Sequence, residues 1–210
     1  MNILLARHGN TFGPQDPVVC AGARNDLPLV ATGLAQASRL GHALSAQGIR
    51  PTAIYCSPLQ RTLRYAQVLA ELTQFRQAPC IDSRLTEIDY GDWTGLTDLE
   101  IATRFGEPAL QGWNQKSRWP QTGHWGSSEA QIRREVQEFL AQRVQEHQPQ
   151  DTFIVVSSNG RLRYFLTLVE GEFEKRIQDE SFKVKTGNIC QLSYMDNRWS
   201  LDYWNQTPRG

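Results

Sequence analysis

A short apolar run near the N-terminus ends in a cation, an imidazole and a glycine. The run, Asn2–Ala6, has the length and composition of a buried strand, and Arg7, His8 and Gly9 follow it directly. The carboxyl ends of parallel strands are where α/β proteins build ligand sites. We therefore expect a site at this edge that combines a fixed positive charge with a titratable ring. A histidine with a purely structural role is the alternative.

A second short strand ends in a similar way. Ala53–Cys56 is apolar, and Arg61 follows it in the first turn of a helix predicted over Leu59–Leu72. The free N–H groups and the dipole of a helix N-terminus attract phosphate, and an arginine there adds a forked donor of permanent charge. We expect Arg61 to bind an anion. The alternatives are a solvated residue or an ion pair with Glu87 or Asp89.

An acidic turn supplies the third candidate. Glu87 lies in the segment Leu85–Gly95, between the second strand and a tryptophan-rich region. A carboxyl group held near a phosphorylated histidine can protonate a departing alkoxide. Local sequence alone favours a solvent-exposed acidic turn, so the role of Glu87 depends on whether the fold brings it to His8.

The elements that must position these residues predict an α/β fold. Strands alternate with helices, which implies a mostly parallel central sheet covered on both faces, a three-layer α/β/α sandwich. We expect a single domain over 1–210. Further predicted elements are a helix from an N-cap at Thr32 to a stop at Gly48, a buried strand at Asp151–Ser157, a helix around Leu162–Val169, and a hairpin formed by Ile189–Met195 and Arg198–Trp204.

The middle of the chain has a different composition. The range 89–128 holds four of the six tryptophans, and only Leu99–Phe105 within it has a helical pattern. We expect the rest to be an irregular excursion. Such segments are often functional lids, although aromatic clusters more often simply pack onto a core.

Composition limits the kinds of partner and the compartment. Lys+Arg and Asp+Glu both number 22, so the formal net charge is zero, which gives no general attraction to nucleic acid or an anionic membrane. The four cysteines are widely spaced without a CxxC pair, which argues against zinc or a disulfide framework. The N-terminal apolar run is too short for a signal peptide, and no stretch approaches the roughly 20 apolar residues that span a bilayer. These features predict a cytoplasmic protein.

Taken together, the ordered segments resemble the histidine phosphatase (phosphoglycerate mutase-like) superfamily over nearly the full chain. That family opens with a strand ending in Arg-His-Gly-x-Thr and continues with a Gly-x-x-Asp-x-Pro-Leu segment. The matching segments here are Arg7–Thr11, Gly22–Leu29, Gly33–Ala37, Ser57–Arg61, Glu87–Gly95, the strand Asp151–Ser157 and the tail Thr186–Asn188.

The resemblance implies a set of roles. His8 would attack phosphorus and carry the phosphoryl group, while Arg7 and Arg61, with Asn10, bind the phosphate. Glu87 would protonate the leaving group and then help to activate water. The resemblance implies neither metal nor cofactor, because the arginines supply the positive charge. A phosphoryl carrier must present a neutral ring nitrogen, so we expect a backbone carbonyl to hold the other nitrogen of His8.

The chain departs from the family at its second histidine motif. The family has Ser-His-Gly-Gly after the last parallel strand, whereas this chain has Ser157, Ser158, Asn159 and Gly160. Ser158 can donate a hydrogen bond but cannot carry charge, and losing one such donor typically costs about 10²–10³-fold in rate. We expect Ser158 and Asn159 to contact the phosphate. Another residue, Asn159 or His124, is a candidate for the missing role.

Three functions follow from the sequence. The leading hypothesis is a phosphatase acting on a small phosphorylated metabolite, and the compact chain favours hydrolysis. A phosphoglycerate-type mutase is the second, and a phospholigand-binding or regulatory protein without efficient chemistry is the third. The sequence indicates no oligomeric state.

Overall fold

The computed structural model describes residues 1–208 and contains one six-stranded sheet in the order β3-β2-β4-β1-β5-β6. The strands β3, β2, β4 and β1 run parallel, and β5 and β6 form an antiparallel hairpin on the edge beside β1. The strands are β1 (Asn2–Arg7), β2 (Ala53–Cys56), β3 (Cys80–Ile81), β4 (Thr152–Ser157), β5 (Ile189–Met195) and β6 (Arg198–Gln206). This confirms the α/β fold with a mostly parallel sheet.

Helices cover both faces of the sheet. The helices are α1 (Ala31–Ala46), α2 (Gln60–Leu72), α3 (Asp98–Phe105), α4 (Glu107–Lys116), α5 (Glu129–Glu146), α6 (Asn159–Leu162) and α7 (Glu172–Gln178). Alternate residues of β1 separate the two cores: Leu4 packs with α1 and α2, whereas Ile3 and Leu5 pack in the core that includes α5. This alternation is the strand period of two, and it produces the three layers.

The first helix begins before its expected N-cap. Thr32 was predicted to cap it, but α1 starts at Ala31 with Val30 at the N-cap, and the Val30 side chain makes no capping bond. The Val30 N–H instead donates to the carbonyl of Asn10 at 3.1 Å. A tertiary contact with the segment after β1 therefore sets where this helix begins.

The region 89–128 contains more helix than its composition suggested. The predicted helix is present as α3, and α4 follows it from Gly106 with Pro108 in its first turn, a start signal that the tryptophans obscured. β3 and α7 were not predicted, and the helix expected around Leu162–Val169 is divided into the short α6 and a 3-10 stretch over Arg163–Leu168. Trp93, Trp113, Trp119 and Trp125 form one edge-to-face cluster.

Two general features of residues 1–208 bear on the sequence expectations. The four cysteines are all free thiols. None of the helices in this part of the chain has the length and apolar character needed to cross a membrane.

Candidate active site

The structure brings the three sequence segments to one cavity of about 1050 Å³. Arg7 at the end of β1 pairs in register with Ser157 at the end of β4, so the residues after both strands emerge at the same sheet edge. The first turn of α2 follows the neighbouring strand β2. The predicted residues that line the cavity are Arg7, His8, Asn10, Arg61, Glu87 and Asn159.

His8 is held as a neutral imidazole. Its Nδ1 lies 2.7 Å from the Gly9 carbonyl oxygen, which can only accept, so Nδ1 carries the proton and Nε2 retains its lone pair. Burial lowers the pKa of His8 well below 6.5, and the charges of Arg7 and Arg61 lower it further. This confirms the expected hydrogen bond and leaves the lone pair of Nε2 free.

Backbone carbonyls fix the two predicted phosphate-binding arginines. Nη1 of Arg7 donates to the Val184 carbonyl at 2.6 Å. Arg61 donates from Nη2 to Gly22 at 2.7 Å and from Nη1 to Asn25 at 2.9 Å. These contacts orient the guanidinium groups without neutralising them. Burial lowers the pKa of both side chains, which identifies them as desolvated cations at the cavity wall.

The ion pair considered for Arg61 is absent among residues 1–208. Asp89 pairs instead with Arg24, whose Nε lies 2.7 Å from Asp89 Oδ1. Glu87 forms its hydrogen bonds with backbone N–H groups. Arg61 therefore has no carboxylate partner among residues 1–208.

Glu87 is a buried carboxyl group and not a surface turn residue. It is 8% exposed, its Oε2 accepts from the Gly160 N–H at 3.0 Å and its Oε1 accepts from the Ile88 N–H at 2.8 Å. A Cβ at position 160 would lie 2.4 Å from Glu87 Oε1 and 2.3 Å from the Tyr90 hydroxyl. The glycine after Ser158 and Asn159 therefore lets the carboxyl group approach the end of β4 closely.

The two asparagines hold the loops around the pocket. Asn10 accepts from the Thr186 hydroxyl through Oδ1, and its N–H donates to Gln36. Oδ1 of Asn159 accepts from the Val184 N–H at 2.9 Å, and the carbonyl of the same Val184 receives the Arg7 hydrogen bond. Asn159 thus supports the position of Arg7 besides lining the cavity.

Ser158 and His124 are not brought to the cavity wall. The Ser158 hydroxyl has no accessible surface, and among residues 1–208 it has no hydrogen-bond partner. His124 has a side chain that is 91% exposed, and its Nδ1 bonds Asp92 at 2.6 Å. Neither side chain therefore lines the cavity, so the expected contact of Ser158 with a phosphate there has no support in this geometry.

Sequence reasoning missed two cations of this cavity, Arg163 and Lys183. Arg163 follows α6 at the start of the 3-10 stretch, and Lys183 lies in the loop before β5. Neither residue belongs to a motif with a recognisable spacing, so only the fold identifies them. Aromatic side chains of Tyr90, Trp93 and Trp113 complete this part of the wall, which links the tryptophan cluster to the cavity.

A family model matches nearly the whole chain. Residues 3–207 match the histidine phosphatase superfamily, branch 1. A 2,3-bisphosphoglycerate-dependent phosphoglycerate mutase of Brucella melitensis is 29% identical over 201 residues, 91% of this chain and 92% of the mutase. The mutase from Corynebacterium diphtheriae is 32% identical over only 96 residues, which are 45% of this chain and 39% of that mutase.

Two solved structures share the fold across their full length. A mycobacterial glucosyl-3-phosphoglycerate phosphatase superposes with a TM-score of 0.81 at 24% identity, covering 97% of this chain and 98% of that one. An Escherichia coli protein described as an α-ribazole-5′-P phosphatase has a TM-score of 0.77 at 26% identity, covering 100% and 98%. Both are similar to this chain in architecture, and both are named as phosphatases.

Proposed function

The chain belongs to the histidine phosphatase superfamily, and on that basis we propose that it hydrolyses small phosphate monoesters through a phosphohistidine at His8. One observation carries the proposal. A neutral, buried imidazole shares a cavity with two desolvated arginines and a buried carboxyl group. Phosphoryl transfer through a phosphohistidine requires three groups. They are a nucleophile, fixed positive charge near the phosphoryl oxygens and a proton donor for the leaving group.

The proposed reaction has two steps. Nε2 of His8 attacks phosphorus and the bond to the ester oxygen breaks, while the carboxyl proton of Glu87 passes to the departing alkoxide. In the second step the Glu87 carboxylate takes a proton from water, the water oxygen attacks phosphorus, and the bond to Nε2 breaks. Orthophosphate leaves, and His8 and protonated Glu87 are regenerated. Arg7 and Arg61 bind the phosphoryl oxygens and stabilise their charge throughout.

A mutase is the second candidate, favoured by the similarity to the Brucella mutase along most of the chain. It would share the first step and would return the phosphoryl group to a second hydroxyl instead of water. The burial of Ser158, away from the cavity wall, supports slower transfer than in a site with two histidines. If transfer were slowed until no turnover remained, the protein would only bind phosphate esters, which is the third candidate.

Turnover of the native protein and a His8→Ala variant tests the proposal. We expect the native protein to release orthophosphate from p-nitrophenyl phosphate, and His8→Ala to lower kcat/KM by about 10³-fold or more because the nucleophile is lost. His42→Ala is the matched control, since His42 is exposed on α1 and does not line the cavity.

The same experiment separates the alternatives. Equal rates in the native protein and His8→Ala would overturn the phosphohistidine. Transfer of radiolabelled phosphate to an added hydroxy acid instead of water would establish the mutase. Binding of phosphate by calorimetry with no turnover above background would establish the binding protein.

A further inference from the structure

Among residues 1–208, the arginines that are more than nine-tenths buried divide into two groups. Arg143 and Arg161 pair with carboxylates, Glu146 at 3.1 Å and Glu135 at 2.6 Å. Arg61 and Arg163 are each 1% exposed, and among residues 1–208 neither has a carboxylate within ion-pair distance. Burying an unpaired charge costs free energy, and a bound anion would offset that cost.

Arg163 has few internal partners that could compensate its charge. Nη1 donates to the Ser117 hydroxyl at 3.2 Å, and Nε is buried without a partner in the described chain. The guanidinium lies over the rings of Trp113 at 4.1 Å and Phe182 at 4.6 Å, which fix its plane. Its side chain also lines the cavity. A rigid, desolvated guanidinium at a cavity wall is suited to bind an anionic oxygen group.

Lys183 is a second cation that lines the same cavity, and it is exposed. Its Nζ donates to Asn114 of α4 at 3.3 Å, one residue from the Trp113 that stacks on Arg163. Burial lowers the pKa of Lys183, and the charge of Arg163 lowers it further. Both side chains are therefore anchored on α4.

The two cations lie on the Glu87 side of the cavity. The Tyr90 hydroxyl and Glu87 Oε1 converge on Gly160, and the Tyr90 ring packs on Trp113 at 5.7 Å, which in turn contacts Arg163. Through these contacts Arg163 lies on the same part of the wall as Glu87, the side toward which the alcohol part of an ester would extend if Glu87 protonates it.

We propose that Arg163 and Lys183 form a second anion subsite, which binds a carboxylate or a second phosphate on the alcohol part of the substrate. The inference rests on the proposed function, because the subsite is placed relative to the group that Glu87 would protonate. It narrows the substrate class from phosphate monoesters in general to those whose alcohol carries a negative group.

Matched substrates test the subsite. Glycerol 3-phosphate and 3-phosphoglycerate differ only in a hydroxymethyl group against a carboxylate, and propane-1,3-diol bisphosphate supplies the second phosphate. We expect the native protein to prefer the doubly anionic esters in kcat/KM. Arg163→Gln and Lys183→Gln should each lower that preference, by about 10-fold or more for Arg163, because a charge-assisted hydrogen bond is lost.

The controls remove a comparable charge elsewhere. Lys185→Gln changes an exposed lysine outside the cavity wall, and Arg143→Gln removes a buried arginine that stacks on Tyr55 and Phe139. Both should retain the native preference. If Arg163→Gln fails to fold, Lys183→Gln and the charge-retaining Arg163→Lys carry the test, since Lys183 is exposed.

Each outcome separates the subsite from the proposed function. Hydrolysis of all esters with no preference, or a preference unchanged in the variants, would overturn the subsite and leave the phosphatase standing. Absence of hydrolysis would count against the phosphatase. In that case tighter calorimetric binding of 3-phosphoglycerate than of glycerol 3-phosphate, lost in Lys183→Gln, would still support the subsite, and equal binding would overturn it. A greater loss for the carboxylate or for the bisphosphate identifies which anion the site accepts.

Discussion

Replacing Gly160 by alanine should displace the proton donor while leaving the nucleophile and the arginines in place. The added Cβ would lie 2.4 Å from Glu87 Oε1 and 2.3 Å from the Tyr90 hydroxyl, whereas ordinary contacts begin at 3.4 Å. The carboxyl group must therefore retreat by about 1 Å, which breaks the 3.0 Å bond from the Gly160 N–H. A misplacement of about 1 Å at a reacting group costs on the order of 10²-fold in rate.

The assay compares two esters that differ in their need for a proton. Glycerol 3-phosphate releases an alkoxide, which must be protonated, whereas p-nitrophenyl phosphate releases a stable anion. Because kcat/KM covers the reaction through departure of the leaving group, Gly160→Ala should lower it by about 10²-fold for the alkyl ester and less than about 10-fold for the aryl ester. Circular dichroism verifies that the variant is folded.

Gly112→Ala is the matched control for this prediction. Gly112 also lies in a helix, and a Cβ there would make ordinary contacts of 3.7 Å and 3.8 Å with Arg118. It should leave both substrates unaffected. An equal fall on both esters in Gly160→Ala would mean that phosphate binding, and not proton transfer, was lost. Unchanged rates in a folded variant would refute the placement of Glu87 as the donor.

Two further predictions concern His8 and Ser158. Burial holds the pKa of His8 below 6.5, so below pH 6.5 the unfolded chain binds a proton at His8 that the folded chain does not bind. The free energy of unfolding should therefore fall by up to about 1.4 kcal/mol per pH unit as the pH drops below 6.5. Urea unfolding at a series of pH values should show a shallower dependence in His8→Gln, and equal slopes would contradict the shift. Ser158→Ala should keep turnover within about 2-fold and leave stability unchanged or slightly higher, because it removes a buried hydroxyl without a partner. A 10-fold loss of kcat in that variant would instead show that Ser158 contacts the phosphoryl group.

Local sequence patterns predicted the framework of this protein. Continuous apolar runs predict buried strands because both faces of a parallel sheet are covered. Two such runs, Asn2–Ala6 and Asp151–Ser157, pair as neighbouring parallel strands in the fold. Arg7 and His8 could be predicted as site residues from the sequence because the carboxyl end of a parallel strand lies at the edge where α/β proteins bind ligands.

The helices that depend on packing were harder to predict. α4 lies in a segment rich in tryptophan, and its stability comes from burying Trp113 and Leu110 instead of from a clean periodic pattern. The N-terminus of α1 was displaced by the bond between Val30 and Asn10. In both cases a tertiary contact overrode the local signal.

The sequence alone shows which residues end the apolar runs, with Arg7 and His8 after the first and Ser157 and Ser158 after the last of the parallel strands. Tertiary packing buries Glu87 against Gly160, withdraws Ser158 from the cavity wall and leaves His124 exposed. It also decided that Arg161 pairs with Glu135 while Arg163, two residues later, reaches the cavity. The physical reason is that strand position follows from local polarity, whereas the direction and pairing of a side chain follow from packing with residues distant in sequence.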